Sequence, residues 1–253
     1  MDNEEDIFFA KINLEILKDY IYNLMLINDE ICLNVTNNGF YTISFDSSNV
    51  SMIKSNLSKD EFEDYLLKEI SIKVGLDLLK IYEILNNYNQ SNSVAIYINI
   101  KKQKLRIHVE NMIYTTSLLD LSIIKNDTKE LTIQFDNETY IDGFELKKAL
   151  KIADKINDFI IFEIKEQSLF IKTKNETDYF SLLLSSNVVK KSNNFIISSM
   201  YSTEYLLNLS KGIGKLNNII LSIGQDYPLQ IKFKLKDKNC DFTYILAPRI
   251  ESS

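Results

Sequence analysis

Apolar and polar residues follow two periods along this chain, and each period predicts a different kind of secondary structure. Stretches in which apolar residues recur every three or four positions predict α-helices at 8–26, 74–88, 144–158 and 203–217. Short apolar or alternating runs predict β-strands at 30–35, 40–45, 50–57, 94–100, 104–111, 131–135, 159–164, 168–174, 178–186, 195–200, 219–224, 228–236 and 240–247. Residues 112–130 fit neither period, so we predict a long connector there.

The order of the predicted elements occurs twice. Each time a helix, a set of strands, a second helix and further strands follow one another, and the tripeptide Ile27-Asn28-Asp29 recurs as Ile156-Asn157-Asp158 at the matching place. Two structural copies are therefore predicted, an N-terminal domain at 1–118 and a C-terminal domain at 131–253, with an interdomain connector at 112–130. Antiparallel sheets with two helices on one face of each copy make this an α+β fold.

Basic residues form a stripe on the predicted helix 144–158. At 3.6 residues per turn, Lys148, Lys151 and Lys155 fall opposite the apolar side, and no acidic residue lies among them on that face. Such a stripe is typical of a solvated surface helix, and it also suits a helix that presents lysines to a polyanion. The lysines that the four helices would present on their outer sides are Lys11, Lys18, Lys80, Lys148, Lys151, Lys155, Lys211 and Lys215.

Composition limits the classes of function. Of the 253 residues, 45% are hydrophobic and 25% are charged, which is enough for a folded core, and the formal net charge is -6. An acidic chain is a poor general coat for nucleic acid, but a local basic surface is compatible with this charge. The acidic N-terminus differs from a signal peptide and no apolar run approaches the roughly 18 residues of a membrane span, so we expect an intracellular protein without membrane contact.

Residues for catalysis or metal binding are scarce. The chain has two cysteines, Cys32 and Cys240, far apart in apolar runs, and one histidine, His108, so we expect buried thiols and no metal or cofactor site. The sequence contains no Gly-rich phosphate loop and no nucleophile motif, and acidic pairs such as Glu4-Glu5 lie in charged runs. We therefore predict a protein that is not an enzyme; paired carboxylates with shifted pKa values in a cleft would argue the opposite.

Four motifs resemble those of one protein family. They lie at 45–50 (FDSSNV), 117–121 (SLLDL), 227–229 (YPL) and 244–251 (YILAPRIE). Together and in this order they resemble proliferating cell nuclear antigen, the DNA polymerase sliding clamp of archaea and eukaryotes, and the resemblance covers essentially the whole chain. It implies the DNA clamp fold and a homotrimeric ring, with helices lining the hole and sheets forming the outer wall. Duplex DNA would pass through this ring, which tethers replicative polymerase and repair enzymes as a processivity factor.

The resemblance also ranks the lysines. In the family, weak and sequence-independent phosphate contacts suffice because a closed ring cannot fall off the duplex. Met25 stands where the family has a lysine late in the first helix, so we expect weaker DNA contact from the first domain. The best matches by position to DNA-facing residues are Lys18, Lys80, Lys151, Lys155 and Lys211.

Ring closure in the family pairs an edge strand of one subunit with an edge strand of the next. By position these strands are 105–111 and 178–184. Within this seam we interpret His108 as a structural residue rather than a pH switch. The predicted interface residues are Leu105, Ile107, His108, Val109, Tyr179, Phe180 and Leu182.

Client proteins of the family insert a short peptide into an apolar pocket beneath the connector. Ile245 replaces the pocket tyrosine of the family, and 125–128 is polar where relatives are apolar, so client preference is expected to differ. The implied clients are DNA polymerase, clamp loader, flap endonuclease and DNA ligase, in the nucleus of a eukaryote or the cytoplasm of an archaeon. The residues that match the pocket are Phe45, Val50, Leu121, Ile123, Pro228, Ile245, Ala247 and Pro248.

Two other interpretations remain open. The chain could be one subunit of a heterotrimeric clamp, either replicative or of the checkpoint type, and self-assembly through the two edge strands distinguishes that case. It could also be a monomeric interaction scaffold, in which substitution of Lys151 and Lys155 would leave clamp function unchanged.

Overall fold

The fold consists of two compact units. A computed structural model of the protein describes residues 6–88, 92–124, 133–165, 168–184, 196–216, 218–235 and 238–250, together with the backbone of 186–190. Unit 1 comprises Met1–Phe45, Ile53–Thr128 and Asp237–Asp241, and unit 2 comprises Asp46–Met52, Lys129–Lys236 and Phe242–Ser253. The predicted domain limits 1–118 and 131–253 differ from these units, because Asp46–Met52 belongs to unit 2 and Asp237–Asp241 to unit 1. The predicted limits stay a prediction.

The first repeat runs from β1 to β9. Its elements are β1 Phe8–Asn13, α1 Leu14–Met25, β2 Glu30–Thr36, β3 Gly39–Phe45, β4 Ser51–Ser58, a 3-10 turn Lys59–Glu61, β5 Phe62–Leu67, β6 Ser71–Asp77, α2 Leu78–Leu85, β7 Ser93–Asn99, β8 Lys104–Val109 and β9 Met112–Ser117. One sheet has the strand order β5-β1-β7-β8-β9, and the other strands follow the order β4-β3-β2-β6. The strand pairs are antiparallel wherever their register is defined.

The second repeat has the same order of elements. They are β10 Asn137–Ile141, α3 Gly143–Ala153, β11 Phe159–Lys165, β12 Ser168–Lys174, β13 Tyr179–Leu184, β14 Ser186–Lys190, β15 Ile196–Ser202, α4 Thr203–Ile213, β16 Ile219–Ser222, β17 Leu229–Lys234 and β18 Cys240–Leu246. The strand orders are β14-β10-β16-β17-β18 and β13-β12-β11-β15. Each strand of the first repeat thus has a counterpart, with β13 corresponding to β4 and β18 to β9.

Strands β4 and β18 are hydrogen-bonded neighbours in a sheet. Ala247 N donates to Val50 O at 2.9 Å within unit 2, and Ser58 N donates to Asn239 O at 2.9 Å within unit 1. Their counterparts β13 and β9 instead end their sheets, with a neighbouring strand on one side only among the described residues. One member of each matched set is therefore paired on both sides, and the other is an edge strand.

Helices α1 and α3 each begin directly after a strand, at a polar capping residue. Asn13 Oδ1 accepts a hydrogen bond from Glu15 N at 2.9 Å, and Asp142 Oδ1 accepts one from Phe144 N at 2.7 Å. The predicted helices 8–26 and 74–88 were wrong in their first residues, because 8–13 forms β1 and 74–77 belongs to β6. The residues of β1 alternate between buried and half-buried, which is the period of a strand.

Helices α3 and α4 also end earlier than predicted. The last residue of α3 is Ala153 and that of α4 is Ile213, so Lys155 and Lys215 lie in the turns that follow. Gly214 ends α4 at a crowded place, where an added Cβ would lie 2.3 Å from Lys147 Cδ. These two lysines are therefore next to the helices rather than on them.

The core of each unit lies between helices and sheets. Helices α1 and α2 pack against each other in unit 1, and α3 and α4 do so in unit 2. Their apolar stripes are buried, including Leu17 and Leu24 of α1 and Leu146 and Leu150 of α3. Each such side chain contributes about 1.5–3 kcal/mol when it is fully buried. Antiparallel sheets with two helices in each repeat confirm the predicted α+β fold class.

Besides β1 and β6, which overlap predicted helices, and β14, which overlaps a predicted strand only at Ser186, further described strands lie where no strand was predicted. They are β5 in an acidic stretch, β10 before the third helix, and β9 within the predicted connector 112–130. Residues 133–135 of the strand predicted at 131–135 are not in a strand, while 131–132 and the polar segment 125–128 lie outside the described residues. Neighbouring strands stabilise such short segments, so their own apolar period is a weak signal.

Two simple expectations can be compared with the fold directly. Within the described ranges, no helix is long and apolar enough to cross a membrane. Cys32 and Cys240 are buried thiols, as predicted. Burial raises the pKa of the Cys240 thiol, which makes it a poor nucleophile.

Candidate functional site

Unit 2 presents a basic helix pair, which consists of α3, α4 and the turns that follow them. Gly143 N at the start of α3 donates to Leu216 O after α4 at 2.9 Å, which fixes one end of the pair. The apolar stripes face the core, so the lysines lie on the outer sides. Five of the predicted lysines are exposed here, namely Lys148 and Lys151 on α3, Lys155 after it, Lys211 on α4 and Lys215 after it.

A sixth lysine of the basic helix pair was missed by the sequence reasoning. Lys147 is half-buried, and its Cδ would lie 2.3 Å from a Cβ at Gly214, so its aliphatic stem covers the end of α4. The signal in the sequence was the doublet Lys147-Lys148, but Lys147 falls at the border of the apolar stripe. Three acidic residues, Glu145, Asp154 and Glu204, share these segments.

The helix pair of unit 1, α1 and α2, has a different outer surface. Lys18 on α1 is half-buried and Lys80 on α2 is exposed. The rings of Tyr22 and Tyr82 meet there, with centroids 5.8 Å apart, and burial raises the pKa of Tyr82. The acidic residues on the two helices are Glu15, Asp19 and Glu83.

Lys11 was predicted to lie on the first helix, and this prediction is wrong. It lies on β1, and its Nζ forms an ion pair with Glu63 Oε2 of the neighbouring β5 at 2.6 Å. The hydrogen bond with Glu63 and the charge of that carboxylate raise the pKa of Lys11. The side chain is therefore part of a pair on a sheet surface, and it does not belong to the outer side of α1.

Among the described residues, β9 and β13 each have backbone N–H groups that face no neighbouring strand. Leu118 N donates to Gln103 O at 3.0 Å, and hydrogen-bonded pairs then recur at every second residue between β9 and β8. The N–H groups of Ile113, Thr115 and Ser117 consequently point away from β8. The hydrogen bond from Asn175 N to Asp178 O at 2.9 Å sets the corresponding pattern for β13. The backbone N–H groups of Tyr179, Ser181 and Leu183 therefore point away from β12.

The predicted interface strand 105–111 is not an edge. Strand β8 pairs with β7 on one side and with β9 on the other, and Leu105, Ile107 and Val109 are buried in the core. A tight turn at Glu110, with φ 50°, reverses the chain and adds β9 outside β8. The edge of this sheet is therefore one strand further along the chain than predicted, whereas Tyr179, Phe180 and Leu182 do lie on the edge strand β13.

His108 lies on β8, one strand inside that edge. Its ring centroid is 4.8 Å from that of Tyr97, and the Arg106 guanidinium stacks on the same tyrosine at 4.5 Å. Arg106 also pairs with Asp6 at 2.7 Å. Burial and the nearby Arg106 charge hold the pKa of His108 below its usual value, which fits the interpretation of a structural residue.

The two edge strands β9 and β13 also lack charged residues. Neither β9 (MIYTTS) nor β13 (YFSLLL) contains a charged residue or a proline, and both expose apolar side chains, with Ile113 67% and Tyr179 68% accessible. Strand β5, at the other edge of the β9 sheet, carries Glu63 and Asp64. Strand β15, at the other edge of the β13 sheet, is also uncharged, but Met200 O of that strand accepts the hydrogen bond from Arg249 N. Proteins usually protect free edges with charge or proline, so these two uncharged edges are typical of strands that pair with another chain.

The Asp46 turn, residues 46–51, is built around one buried carboxylate. Asp46 is 8% exposed, and its Oδ1 accepts hydrogen bonds from Val50 N at 2.8 Å and Ser51 N at 2.7 Å. Its Oδ2 accepts bonds from Ser48 N at 3.2 Å and from the Tyr205 hydroxyl at 2.9 Å. Although burial acts to raise the pKa of Asp46, these hydrogen bonds keep it below its usual value.

The C-terminal segment 247–250 is attached to this turn and to strand β15. Ala247 N donates to Val50 O at 2.9 Å, and Arg249 N donates to Met200 O at 2.7 Å. The Arg249 guanidinium also pairs with Asp158 Oδ2 at 2.9 Å. Unit 2 therefore brings together Val50 and Ala247 of the predicted pocket residues, and Pro248 lies between the two anchored positions.

The other predicted pocket residues of unit 2 are Pro228 and Ile245. Pro228 is half-buried and directly precedes β17, after a corner where the Tyr201 hydroxyl donates to Tyr227 O at 2.8 Å. Ile245 is only 6% exposed, so at this position the family tyrosine is replaced by a side chain that mainly packs in the core.

Three predicted pocket residues belong to unit 1. Phe45 is half-buried and its O accepts a hydrogen bond from Asn28 Nδ2 at 3.2 Å. Leu121 and Ile123 follow the point where Leu119 N donates to Gly75 O at 2.9 Å, which places the start of the connector along β6. An added Cβ at Gly75 would lie 2.5 Å from Leu119 O, so glycine is required for this approach.

Catalytic groups do not converge in the residues that the structure describes. Within these ranges, no group of three His, Cys, Asp or Glu side chains is placed to hold a metal ion. The carboxylate of Asp46 accepts hydrogen bonds from three backbone N–H groups and one phenol. Its arrangement is suited to fixing a turn.

Known proteins provide the family. The chain is 31% identical to the DNA polymerase sliding clamp of Methanothrix thermoacetophila over 242 residues, which cover 96% of this chain and 98% of the relative. The clamp of Methanosarcina barkeri is 31% identical over 245 residues, covering 97% and 99%. The chain belongs to the DNA polymerase sliding clamp family. No protein-family model matches the chain.

Solved clamp structures have the same fold. The chain superposes on PCNA from A. fulgidus, bound to the C-terminal region of FEN-1, with a TM-score of 0.87 and 25% identity, covering 97% of this chain and 100% of that one. PCNA from Thermococcus kodakaraensis gives a TM-score of 0.84 at 20% identity, covering 96% and 100%. The predicted resemblance and clamp fold are confirmed.

Proposed function

We propose that this clamp forms a ring that encircles duplex DNA and tethers replication and repair proteins to it. The observation that carries the proposal is the difference between the two repeats. Strands β4 and β18 pair with each other, whereas their counterparts β13 and β9 are uncharged strands at the edges of their sheets. Pairing β9 of one subunit with β13 of the next would repeat the arrangement of β18 and β4. Such head-to-tail pairing produces a closed ring when the rotation per subunit divides a full turn.

The proposed interface differs from the sequence-based prediction in one strand. Strand β9, with Ile113 and Thr115 facing outward, takes the role that 105–111 was expected to have. Strand β13, with Tyr179, Phe180 and Leu182, keeps its role. Backbone hydrogen bonds would supply the pairing, and the exposed apolar side chains would be buried in it.

The basic helix pair of unit 2 is proposed as the main DNA contact. Exposed lysines such as Lys148, Lys151 and Lys211 would contact phosphates without reading bases, which suits a ring that slides. Lys18 and Lys80 of unit 1 would add fewer contacts, because α1 and α2 carry two lysines whereas α3, α4 and their following turns carry six, with three acidic residues in each set.

The Asp46 turn and the C-terminal segment are proposed as part of the client site. A structural neighbour at 25% identity has the C-terminal region of FEN-1, a flap endonuclease, bound to it, so peptides of this kind are the first candidates. The relatives are named DNA polymerase sliding clamps, so DNA polymerase is a proposed client as well. The clamp loader and DNA ligase are further proposed clients. The proposed role is not enzymatic. A protein in this role would act on chromosomal DNA, in the cytoplasm of an archaeon or the nucleus of a eukaryote.

The first test is the molar mass of the purified chain, measured by light scattering during size exclusion over a concentration series. We expect a mass near three times 29.4 kDa. Protein bound to a closed circular duplex should then be released when the circle is cut once, because a ring slides off a free end. A monomer throughout the series would overturn the self-closing ring and favour one subunit of a heterotrimeric clamp, which only partner subunits would complete.

A further inference from the structure

Helix α4 contacts the Asp46 turn through the side chain of Tyr205. This residue lies in the first turn of α4, and its hydroxyl is 2.9 Å from Asp46 Oδ2, across 159 positions of sequence. Burial and the bond to Asp46 raise the pKa of Tyr205, so the phenol remains a protonated donor at neutral pH. The carboxylate cannot donate, so the direction of this hydrogen bond is fixed.

The hydrogen bond from Tyr205 determines how the second oxygen of Asp46 is held. Oδ1 is fixed by two short bonds from Val50 N and Ser51 N, at 2.8 and 2.7 Å. Oδ2 has the Tyr205 hydroxyl at 2.9 Å and a longer bond from Ser48 N at 3.2 Å. Loss of the phenol would therefore leave Oδ2 with only the longer bond from Ser48 N, so this side of the carboxylate would be held less firmly.

The orientation of Asp46 is passed on to the C-terminal segment through the backbone. Asp46 Oδ1 holds Val50 N, and Val50 O accepts the hydrogen bond from Ala247 N at 2.9 Å. Asn49, with φ 56°, is in the left-handed region, so the turn depends on these bonds to keep its shape. A turn that relaxes would displace the acceptor for Ala247.

We infer that Tyr205 is a positioning residue for client binding, because its hydroxyl holds the Asp46 turn that fixes Ala247. Tyr205 itself was not among the residues that the family motifs pointed to, and it lies on the helix that also carries Lys211. The inference rests on the proposed role of 247–248 in client binding. Its structural part, the dependence of Ala247 on Tyr205, stands independently of any client.

The test is the Tyr205→Phe variant, which removes one oxygen and keeps the ring. A synthetic peptide with the sequence of the FEN-1 C-terminal region that is bound to A. fulgidus PCNA serves as the probe, and its Kd and dissociation rate are measured by fluorescence anisotropy. We expect binding weaker by about three- to tenfold, mainly through faster dissociation, since one charge-assisted hydrogen bond is lost. Amide hydrogen exchange of Ala247, read by NMR, should accelerate by a similar factor.

The control is Tyr65→Phe in unit 1. It removes a phenol whose hydroxyl donates to Thr36 O at 2.7 Å, so it also costs one tertiary hydrogen bond. Both variants should unfold at comparable temperatures, but only Tyr205→Phe should change Ala247 exchange and peptide dissociation. Equal effects of the two variants on peptide binding, or unchanged exchange at Ala247 in Tyr205→Phe, would overturn the inference.

The outcome also separates this inference from the proposed function. If the unaltered protein does not bind the peptide, the proposed client site fails for this class of client. Ala247 exchange still decides the structural part in that case: acceleration in Tyr205→Phe supports the positioning contact, and no change overturns it.

Discussion

The two helix pairs of this clamp have the same topology and different outer surfaces. The segments of α3, α4 and their following turns carry six lysines, Lys147, Lys148, Lys151, Lys155, Lys211 and Lys215, with three acidic residues. Helices α1 and α2 carry Lys18 and Lys80, also with three acidic residues, and a contact between two tyrosine rings. The apolar stripes that pack on the sheets are buried in both pairs.

This comparison separates what the fold requires from what a DNA contact requires. Burial of the apolar stripe stabilises each unit, so both repeats keep it. The outer side contributes little to folding, because each exposed ion pair stabilises a folded protein by about 1 kcal/mol or less. It can therefore differ between the repeats, and we interpret the excess of lysines in unit 2 as the functional difference.

The matched strands give a second comparison and the largest expected effect. Strand β18 is paired on both sides, while its counterpart β9 ends a sheet, with Thr115 N–H pointing outward. Thr115→Pro removes this donor without removing a hydrogen bond between β8 and β9. We expect about 1–3 kcal/mol lost at each of three interfaces, and a shift from trimer to monomer in light scattering.

The matched control for this strand is Thr115→Ala, which keeps the N–H group and should remain trimeric. Circular dichroism should show that the subunits of both variants have the secondary structure of the unaltered protein. A Thr115→Pro protein that is still a trimer at low micromolar concentration would contradict the pairing of β9 with another subunit.

The start of each repeat's first helix provides the next test. Leu14 begins α1 and Gly143 begins α3, but a Cβ at Gly143 would lie 2.2 Å from Ile213 O. Gly143→Ala should lower the free energy of unfolding by about 2 kcal/mol or more, because the ends of α3 and α4 must move apart. The thermal midpoint measures this.

The neighbouring substitution Phe144→Ala is the control for Gly143→Ala. Phe144 is 59% exposed, so its removal should change the free energy of unfolding by about 0.5 kcal/mol or less. Similar midpoints for the two variants would argue against a tight backbone contact between α3 and α4.

The smallest expected effect concerns the lysines. Lys148→Gln with Lys151→Gln removes two charges from unit 2, and Lys18→Gln with Lys80→Gln removes two from unit 1. The unit 2 variant should bind duplex DNA more weakly, and the slope of log affinity against log salt should fall by up to about 0.9 per lost phosphate contact. Titrations between low and moderate salt measure both quantities.

The unit 1 variant is the control for net charge, since it loses the same number of charges. Equal changes of slope in the two variants would contradict a DNA contact concentrated in unit 2. An unchanged slope in both would remove the helix pairs from the DNA contact altogether.

Several features could be predicted because they depend on neighbours in sequence. The apolar stripe of α3 and the exposed Lys148 and Lys151 follow from the helical period alone. The repeat was visible in the order of elements. Helix starts were misplaced at 8 and 74, because a buried strand that runs directly into a helix gives no break in hydrophobicity, and only the caps Asn13 and Asp77 mark the change.

The sequence by itself determined the family, the two repeats and the sides of the helices that carry lysines, since short periods and local motifs encode them. The tertiary structure decided which strand ends a sheet, because an edge is defined by the absence of a neighbour, and β8 and β9 look equally strand-like in isolation. It also decided that Tyr205 meets Asp46. Contacts between residues 159 positions apart depend on the packing of a whole unit, and no local pattern records them.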